Sequence, residues 1–173
     1  MTVTRTIVIF NQNKNKKIDE KNRRLIAKSI PLCEAYSCHL MLVNYETKKN
    51  PIEFAEDMAE STSIGKSGDL FIKLAKKGFV RITSSPLPKQ RGEEIVCTSK
   101  PENNKRINGH LRSVMNKNLT LIFGTDKLAN MISNDVRKNA KYHFDVTGKG
   151  IELELDTEMG ATCLLYTSAA ADE

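Results

Sequence analysis

The sequence contains no tryptophan, and aromatic residues make up only 6% of its 173 residues. It therefore offers no obvious platform on which the bases of a nucleic acid could stack. It also has no apolar run of the ~18–20 residues that a membrane span requires. Residues 1–6 are mostly polar and lack the apolar core and cleavage site of a signal peptide. We therefore expect a cytoplasmic protein.

The arrangement of cysteines and histidines gives no support to a metal site. The four cysteines and three histidines form no Cys-x-x-Cys pair and no Cys/His pair with zinc spacing. We expect no bound metal, and we expect the cysteines to be reduced thiols in or near the core. The residues concerned are Cys33, Cys38, Cys97, Cys163, His39, His110 and His143.

Common nucleotide and hydrolase motifs are missing as well. The stretch "SIGKSG", 63–68, resembles part of a P-loop, but Glu60 stands where that motif requires a glycine. We interpret this stretch as a capped connection between two helices. No Gly-x-Gly-x-x-Gly follows the first predicted strand, which argues against a conventional dinucleotide site. No Gly-x-Ser-x-Gly elbow of a serine hydrolase occurs either.

The positive charge is concentrated near the start of the chain. Residues 1–50 hold ten Lys/Arg and four Asp/Glu, whereas residues 51–173 hold seventeen of each, so the net charge of +6 arises in the first segment. Such a basic surface favours polyanions, with nucleic acid first. A solvated face that only aids solubility is the alternative. The candidate RNA-binding residues are Lys14, Lys16, Lys17, Lys21, Arg23, Arg24 and Lys28.

Short apolar stretches alternate with amphipathic stretches along the chain. We predict strands over 6–10, 39–45, 79–83, 94–99, 119–123 and 141–146, and helices over 19–37, 51–61, 67–78, 104–117, 127–140 and 156–166. Asp19 and Asp126 are candidate helix caps, as is either Ser67 or Asp69. Pro31 should kink the first helix.

This alternation predicts one α/β domain over 1–173, with a mostly parallel sheet covered by helices on both faces. Residues 168–173 should form a frayed tail. In such sheets a ligand lies outside the carboxyl ends of the strands. Three strand-end loops with little side-chain bulk, "TSK", "FGTDK" and "VTGKG", could converge there on one flat ligand, which their backbone groups would bind.

The run "EIVCTSKPE…LTLIFGTDK…YHFDVTGKGIELELDTEMGATCLLY" resembles the SPOUT class of S-adenosylmethionine-dependent RNA methyltransferases. More narrowly, "RRLIAKSIPLCEAYSCHLMLV", "TSIGKSG" and "YHFDVTGKGI" resemble an archaeal family of unassigned function within that class. The resemblance implies a C-terminal trefoil knot through which the final helix threads, a homodimer, and S-adenosylmethionine as cofactor. It also implies that loop 147–150 forms a wall over the adenine and ribose.

The resemblance assigns a set of cofactor-binding residues to the strand-end loops and the start of the final helix. They are Thr98, Ser99, Phe123, Gly124, Thr125, Phe144, Asp145, Val146, Thr147, Gly150, Ile151, Leu153, Gly160 and Ala161.

The chain departs from the SPOUT pattern at the position of the catalytic arginine. Asn22 is followed six residues later by Lys28, where the related enzymes carry an arginine. Arg24 or Lys28 would position phosphate or steer a hydroxyl, since neither is a good base. Asp145 and Glu152 are the nearest acids and are candidate bases. The catalytic residue itself stays unassigned.

Three functions are compatible with these observations. The first is an RNA methyltransferase that acts on tRNA or rRNA, with ribose or base as target. The second is a catalytically inactive knot-fold protein that binds RNA. The third is an unrelated α/β enzyme that acts on an anionic small molecule.

Overall fold

The computed structural model describes residues 3–13, 15–61, 66–84, 92–107, 117–126 and 131–168. The strands are β1 (Arg5–Phe10), β2 (Cys38–Val43), β3 (Val80–Thr83), β4 (Glu93–Cys97), β5 (Leu119–Phe123) and β6 (Tyr142–Phe144). The helices are α1 (Glu20–Tyr36), α2 (Pro51–Ala59), α3 (Ser67–Lys76), α4 (Met131–Asn139) and α5 (Leu155–Cys163), and a π-helical turn (Leu164–Ser168) extends α5.

The six strands form one parallel sheet in the order β3-β2-β1-β5-β4-β6. Its strands are apolar on both sides because both faces are covered. In β1, Ile7 and Ile9 join the larger apolar cluster, whereas Val8 and Phe10 join the smaller one. Helices α1, α2, α3 and α5 contribute to the larger cluster and α4 to the smaller, which confirms the predicted architecture of one sheet with helices on both faces.

The strand order places β5 between β1 and β4. Strands β2 and β3 follow β1 on one side of it, and β4, β5 and β6 form the half of the sheet on its other side. The strand order therefore reverses between β1 and β5. Ligands of open parallel sheets bind in the crevice outside the strand ends at such a reversal.

Helix α1 begins where the sequence predicts. The Asp19 side chain accepts a hydrogen bond from the Asn22 amide, and the Asn22 side chain accepts one from the Asp19 amide. This reciprocal pair satisfies two amides that the first helical turn leaves without partners. Pro31 lies inside the helix, which continues to Tyr36.

The predicted caps of two later helices are not confirmed. Helix α3 has Lys66 at its N-cap position and no side-chain cap, so neither Ser67 nor Asp69 caps it; Ser67 is already its first residue. Asp126 accepts hydrogen bonds from the loop after β4 and from α4, and residues 127–130, which it was predicted to cap, lie outside the described residues. The predicted end of this helix at residue 78 is confirmed, because Gly78 has a φ of 77° just beyond the last turn of α3.

The helix predicted over 104–117 is wrong at its start. Residues Asn103–Lys105 form a short 3₁₀ turn, and Arg106 then pairs with His143 in a β-bridge. A bridging residue has an extended backbone, so the helix cannot begin there. The rest of this stretch, together with Lys14, residues 62–65, His110 and the tail 169–173, lies outside the described residues.

All four cysteines are buried free thiols, as predicted. In the described ranges, no cluster of His, Cys, Asp or Glu could hold a metal ion. Within the same ranges, no helix combines the length and the apolar character that crossing a membrane requires.

The end of β5 depends on glycine, which yields a test of the fold. Gly124 has a φ of 92°, and a Cβ there would lie 2.8 Å from the Phe10 carbonyl oxygen. We expect Gly124→Ala to lower the free energy of unfolding by about 3 kcal/mol in urea titrations, from backbone strain plus this clash. Gly148→Ala is the matched control, because Gly148 also has a positive φ of 64° but nothing within 4 Å of the added atom. It should cost about 1 kcal/mol, and equal losses for the two variants would contradict this account.

Candidate functional site

The loops that follow β4, β5 and β6 meet at the sheet edge where the strand order reverses. Ser99 after β4, Gly124 after β5 and Leu153 after β6 line one narrow pocket. The Thr98 amide donates to the Phe144 carbonyl at 2.9 Å, and a Cβ on Gly150 would lie 3.6 Å from the Ser99 carbonyl oxygen. The structure thus brings together the three loops that the sequence singles out.

Loop 145–150 is organised by the carboxylate of Asp145, which is buried. One oxygen accepts from the amide and the hydroxyl of Thr147, at 3.0 and 2.7 Å, and the other accepts from the Gly150 amide at 2.7 Å. Gly148 and Gly150 supply the positive φ values that let the chain fold around this side chain. Asp145 is a candidate base, and both of its oxygens already serve the loop.

Arg137 of α4 ties the loops after β4 and β5 to each other. Its guanidinium donates to the Asp126 carboxylate at 2.7 Å, to the Thr98 hydroxyl at 3.0 Å and to the Lys100 carbonyl at 2.8 Å. Asp126 also accepts from the Thr98 hydroxyl at 2.7 Å. This charged network is only about one-fifth exposed, so its hydrogen bonds are stronger than those of a surface ion pair.

His143 supports the same region and is a structural residue in this arrangement. It is fully buried in β6, its Nδ1 accepts from the Glu102 amide at 3.1 Å, and its Nε2 lies 2.8 Å from the Arg137 carbonyl oxygen. One nitrogen accepts and the other donates, so the ring is the neutral Nε2-protonated tautomer. Burial lowers its pKa, in agreement with a neutral ring.

Glu158 lies in the first turns of α5 and lines the pocket, and the sequence analysis did not single it out. Only 8% of its surface is exposed, and among the described residues no hydrogen bond to its carboxyl is found. Burial, together with the negative charges of Asp126, Asp145 and Glu152, raises the pKa of Glu158 to about 7. The carboxyl is therefore poised to change its charge near neutral pH.

A second cleft of about 150 Å³ adjoins this pocket, and Gln12 and Leu155 line both. Lys21, Arg24 and Lys28 lie three and four residues apart, so they share one face of α1 and form one wall of the cleft. Asp156 of α5 lies on the other wall and pairs with Lys28 at 2.9 Å. This hydrogen bond lowers the pKa of Asp156.

The other candidate residues occupy varied places. Lys16 and Lys17 are exposed in the loop before α1, and Arg23 is partly buried outside the cleft. Phe123 is fully buried in the core, and Phe144 packs edge-on against Tyr166. Exposed or partly exposed positions are Val146, Ile151, Glu152, Gly160 and Ala161, and within the described ranges nothing lies within 4 Å of a Cβ built on Gly160.

The Thr125 hydroxyl is a further unexpected feature of the loop after β5. Its oxygen is buried and has no hydrogen-bond partner among the described residues. An unpaired buried hydroxyl costs free energy, and a bound ligand would remove that cost.

The perturbed carboxyl of Glu158 predicts a pH-dependent stability. The pKa of Glu158 is about 7 in the folded protein, above the value of 4.5 in an unfolded chain, so the folded state binds the proton more tightly. The stability that this proton contributes is fully present below about pH 4.5 and is lost as pH rises to about 7. We expect Glu158→Gln to match the parent protein at pH 4 and to exceed its free energy of unfolding by about 2–3 kcal/mol at pH 8. The control is Glu56→Gln on the exposed face of α2, which is not among the groups that shift the pKa of Glu158 and should follow the parent curve. A Glu158→Gln curve parallel to the parent across this range would contradict the assignment.

Comparison with known proteins finds one sequence relative and solved structures that share this fold. No family model matches the chain. The chain is 29% identical over 156 residues to an uncharacterised protein of Methanocaldococcus jannaschii, and the match covers 90% of this chain and 89% of that protein. A structure described as a probable methyltransferase from Bordetella pertussis superposes with a TM-score of 0.61 at 8% identity, over 95% of this chain and 94% of the other. A candidate RNA methyltransferase from Bacillus anthracis superposes with a TM-score of 0.54 at 14% identity, over 97% and 94%. The chain therefore shares its α/β fold with these proteins.

Proposed function

We propose that this protein is an S-adenosylmethionine-dependent RNA methyltransferase of the SPOUT class, acting on tRNA or rRNA in the cytoplasm. The observation that carries the proposal is the meeting of three strand-end loops in one pocket that adjoins a basic cleft on α1. Methyl transfer to RNA needs these two sites side by side, one for the methyl donor and one for the polyanion. The fold shared with two methyltransferases supports the proposal.

The pocket offers groups that suit a purine nucleoside. Backbone groups of the lining residues Ser99 and Gly124 would hold it. Thr125, whose buried hydroxyl has no partner among the described residues, lies between the lining residues Gly124 and Asp126. The pocket encloses only about 20 Å³, which is far less than the ~300 Å³ of a typical small ligand site. Binding would therefore require segment 151–154, which has no regular secondary structure, to move outward.

The bound cofactor would supply an electrophilic methyl group, and the protein would supply alignment. Lys21 and Arg24 would hold an RNA phosphate at the mouth of the cleft, and such positioning can be worth several kcal/mol in the transition state. Lys28 is already paired with Asp156, so it would reach RNA only by exchanging that partner. We do not assign the base to one residue.

The knot and the dimer form part of the same proposal. The insertion of β5 between β1 and β4, with α5 packed on the same face as α1, is the arrangement that a threaded terminus would produce. Ile151, Leu164 and Leu165 are large apolar residues that remain exposed. A second copy of the chain would remove them from water.

A catalytically inactive RNA-binding protein of the same fold is the second candidate. The observation in its favour is Lys28, which stands where the related enzymes carry arginine and which is occupied by an ion pair with Asp156. Such a protein would keep the basic cleft and would transfer no methyl group.

Calorimetric titration tests the cofactor site directly. We expect S-adenosylmethionine and S-adenosylhomocysteine both to bind the purified protein, because they share the adenosine that the strand-end loops would hold. If neither binds at millimolar concentration, the methyltransferase proposal fails. A comparison of RNA by mass spectrometry between a deletion strain and its parent should then reveal one missing methyl group, and its absence would favour the inactive alternative.

The basic cleft generates a separate prediction about RNA. We expect the double variant Lys21→Ala/Arg24→Ala to bind bulk tRNA about tenfold more weakly and to reduce the slope of log affinity against log salt by about 1–2. Lys76→Ala/Lys77→Ala removes the same charge from the end of α3, outside the cleft, and serves as the control. Filter binding at several salt concentrations measures both, and equal losses would show that net charge alone determines RNA affinity.

A further inference from the structure

The pocket between the strand-end loops is unusually acidic for a site beside a basic cleft. Asp126, Glu152 and Glu158 line it, and no lysine or arginine among the described residues does so. Such a lining repels an anionic ligand, and it attracts a cation more strongly than a neutral ligand of the same shape. The distribution of charge therefore bears on the kind of ligand that the pocket accepts.

The four carboxyl groups in and beside the pocket differ in how their charge is balanced. Asp126 is paired with Arg137 at 2.7 Å, and Asp145 accepts three hydrogen bonds from its own loop. Glu152 is exposed to solvent. Glu158 is more than nine-tenths buried and has no such partner within the described ranges. It is the carboxyl with most to gain from a cation in the pocket.

We propose that Glu158 makes this pocket selective for a cationic sulfonium nucleoside over the corresponding neutral thioether. The inference rests on the proposed function and specifies how its cofactor site recognises charge. S-adenosylmethionine and S-adenosylhomocysteine differ by one methyl group and by the positive charge on sulfur. With the nucleoside in the pocket, the carboxylate of Glu158 would stabilise the positive charge on the sulfur of the first and would gain no such charge interaction with the second. The pocket thereby retains the methyl donor and releases the demethylated nucleoside.

The selectivity has a pH signature. The groups facing Glu158 are Asp126 from the end of β5, Asp145 from the end of β6, Glu152 from the segment before α5, and the buried Cys97 thiol from β4. The cations nearest to them are already paired: Arg137 with Asp126, and Lys28 with Asp156. Since its pKa is about 7, Glu158 must lose a proton when the cation binds, and affinity for the sulfonium rises with pH.

Calorimetric titration at pH 6 and pH 8 tests the inference with the two nucleosides as probes. We expect the parent protein to prefer S-adenosylmethionine at least tenfold at pH 8, and this preference to fall about tenfold at pH 6. The amino and carboxyl groups of the two ligands are the same, so the ratio of their affinities isolates the charge on sulfur. Proton release should accompany binding of the sulfonium alone, as seen from titrations in buffers of different ionisation enthalpy.

Variants assign the effect to one residue. Glu158→Gln should bind both nucleosides with similar affinity at either pH, whereas Glu56→Gln, on the exposed face of α2 and outside the pocket, should keep the preference of the parent protein. The pH dependence in the parent protein tests the inference even if Glu158→Gln fails to fold. A parent protein that binds both nucleosides equally at pH 8, or a Glu158→Gln variant that keeps the preference, overturns the inference and leaves the proposed function in place. Failure of both nucleosides to bind the parent protein overturns the proposed function and the inference with it.

Discussion

The parallel pairing of β5 between β1 and β4 is the constraint on which the candidate site depends. Because neighbouring strands run in the same direction, the loops after β4, β5 and β6 emerge at one edge of the sheet. Gly124 lets the loop after β5 lie close to the end of β1, because it has no side chain that would clash with the Phe10 carbonyl. The parallel pairing of β4 with both β5 and β6 brings the residues near 98, 125 and 147 to this common edge.

The acidic residues around this edge serve different physical purposes. Asp145 shapes its own loop through hydrogen bonds, and Asp126 fastens two loops to α4 through Arg137. Hydrogen bonds therefore balance the negative charge of both carboxylates, and these bonds hold the loop backbone in place. Glu158 is buried without compensation, which costs free energy when it is ionised. Uncompensated buried charge in a pocket is typical of sites that bind or react.

The two sites at this edge have opposite character. The α1 cleft presents Lys21, Arg24 and Lys28, and the adjoining pocket presents carboxylates. A polyanion would be attracted to the first and repelled by the second, whereas a cationic methyl donor would be attracted to the second. Leu155 and Gln12 border both, so ligands in the two sites would meet at the start of α5. This division of charge favours the methyltransferase proposal over a site for one anionic small molecule.

Much of the fold could be predicted from the amino-acid sequence. Apolar strands, amphipathic helices and the Asp19 cap are local patterns, so residues close together in the chain determine the secondary structure there. The glycine-rich loops and the basic start of α1 were likewise local signals. The caps proposed for α3 were wrong because the helix already begins at Ser67, which leaves Ser67 and Asp69 inside its first turn. The start proposed for the helix at 104 was wrong because Arg106 pairs with β6 in an extended conformation. Only the tertiary structure decided that Arg137 binds Thr98 and Asp126, and that Glu158 is buried beside three other acids. These contacts join residues that are distant in the chain, so no local sequence pattern could predict them.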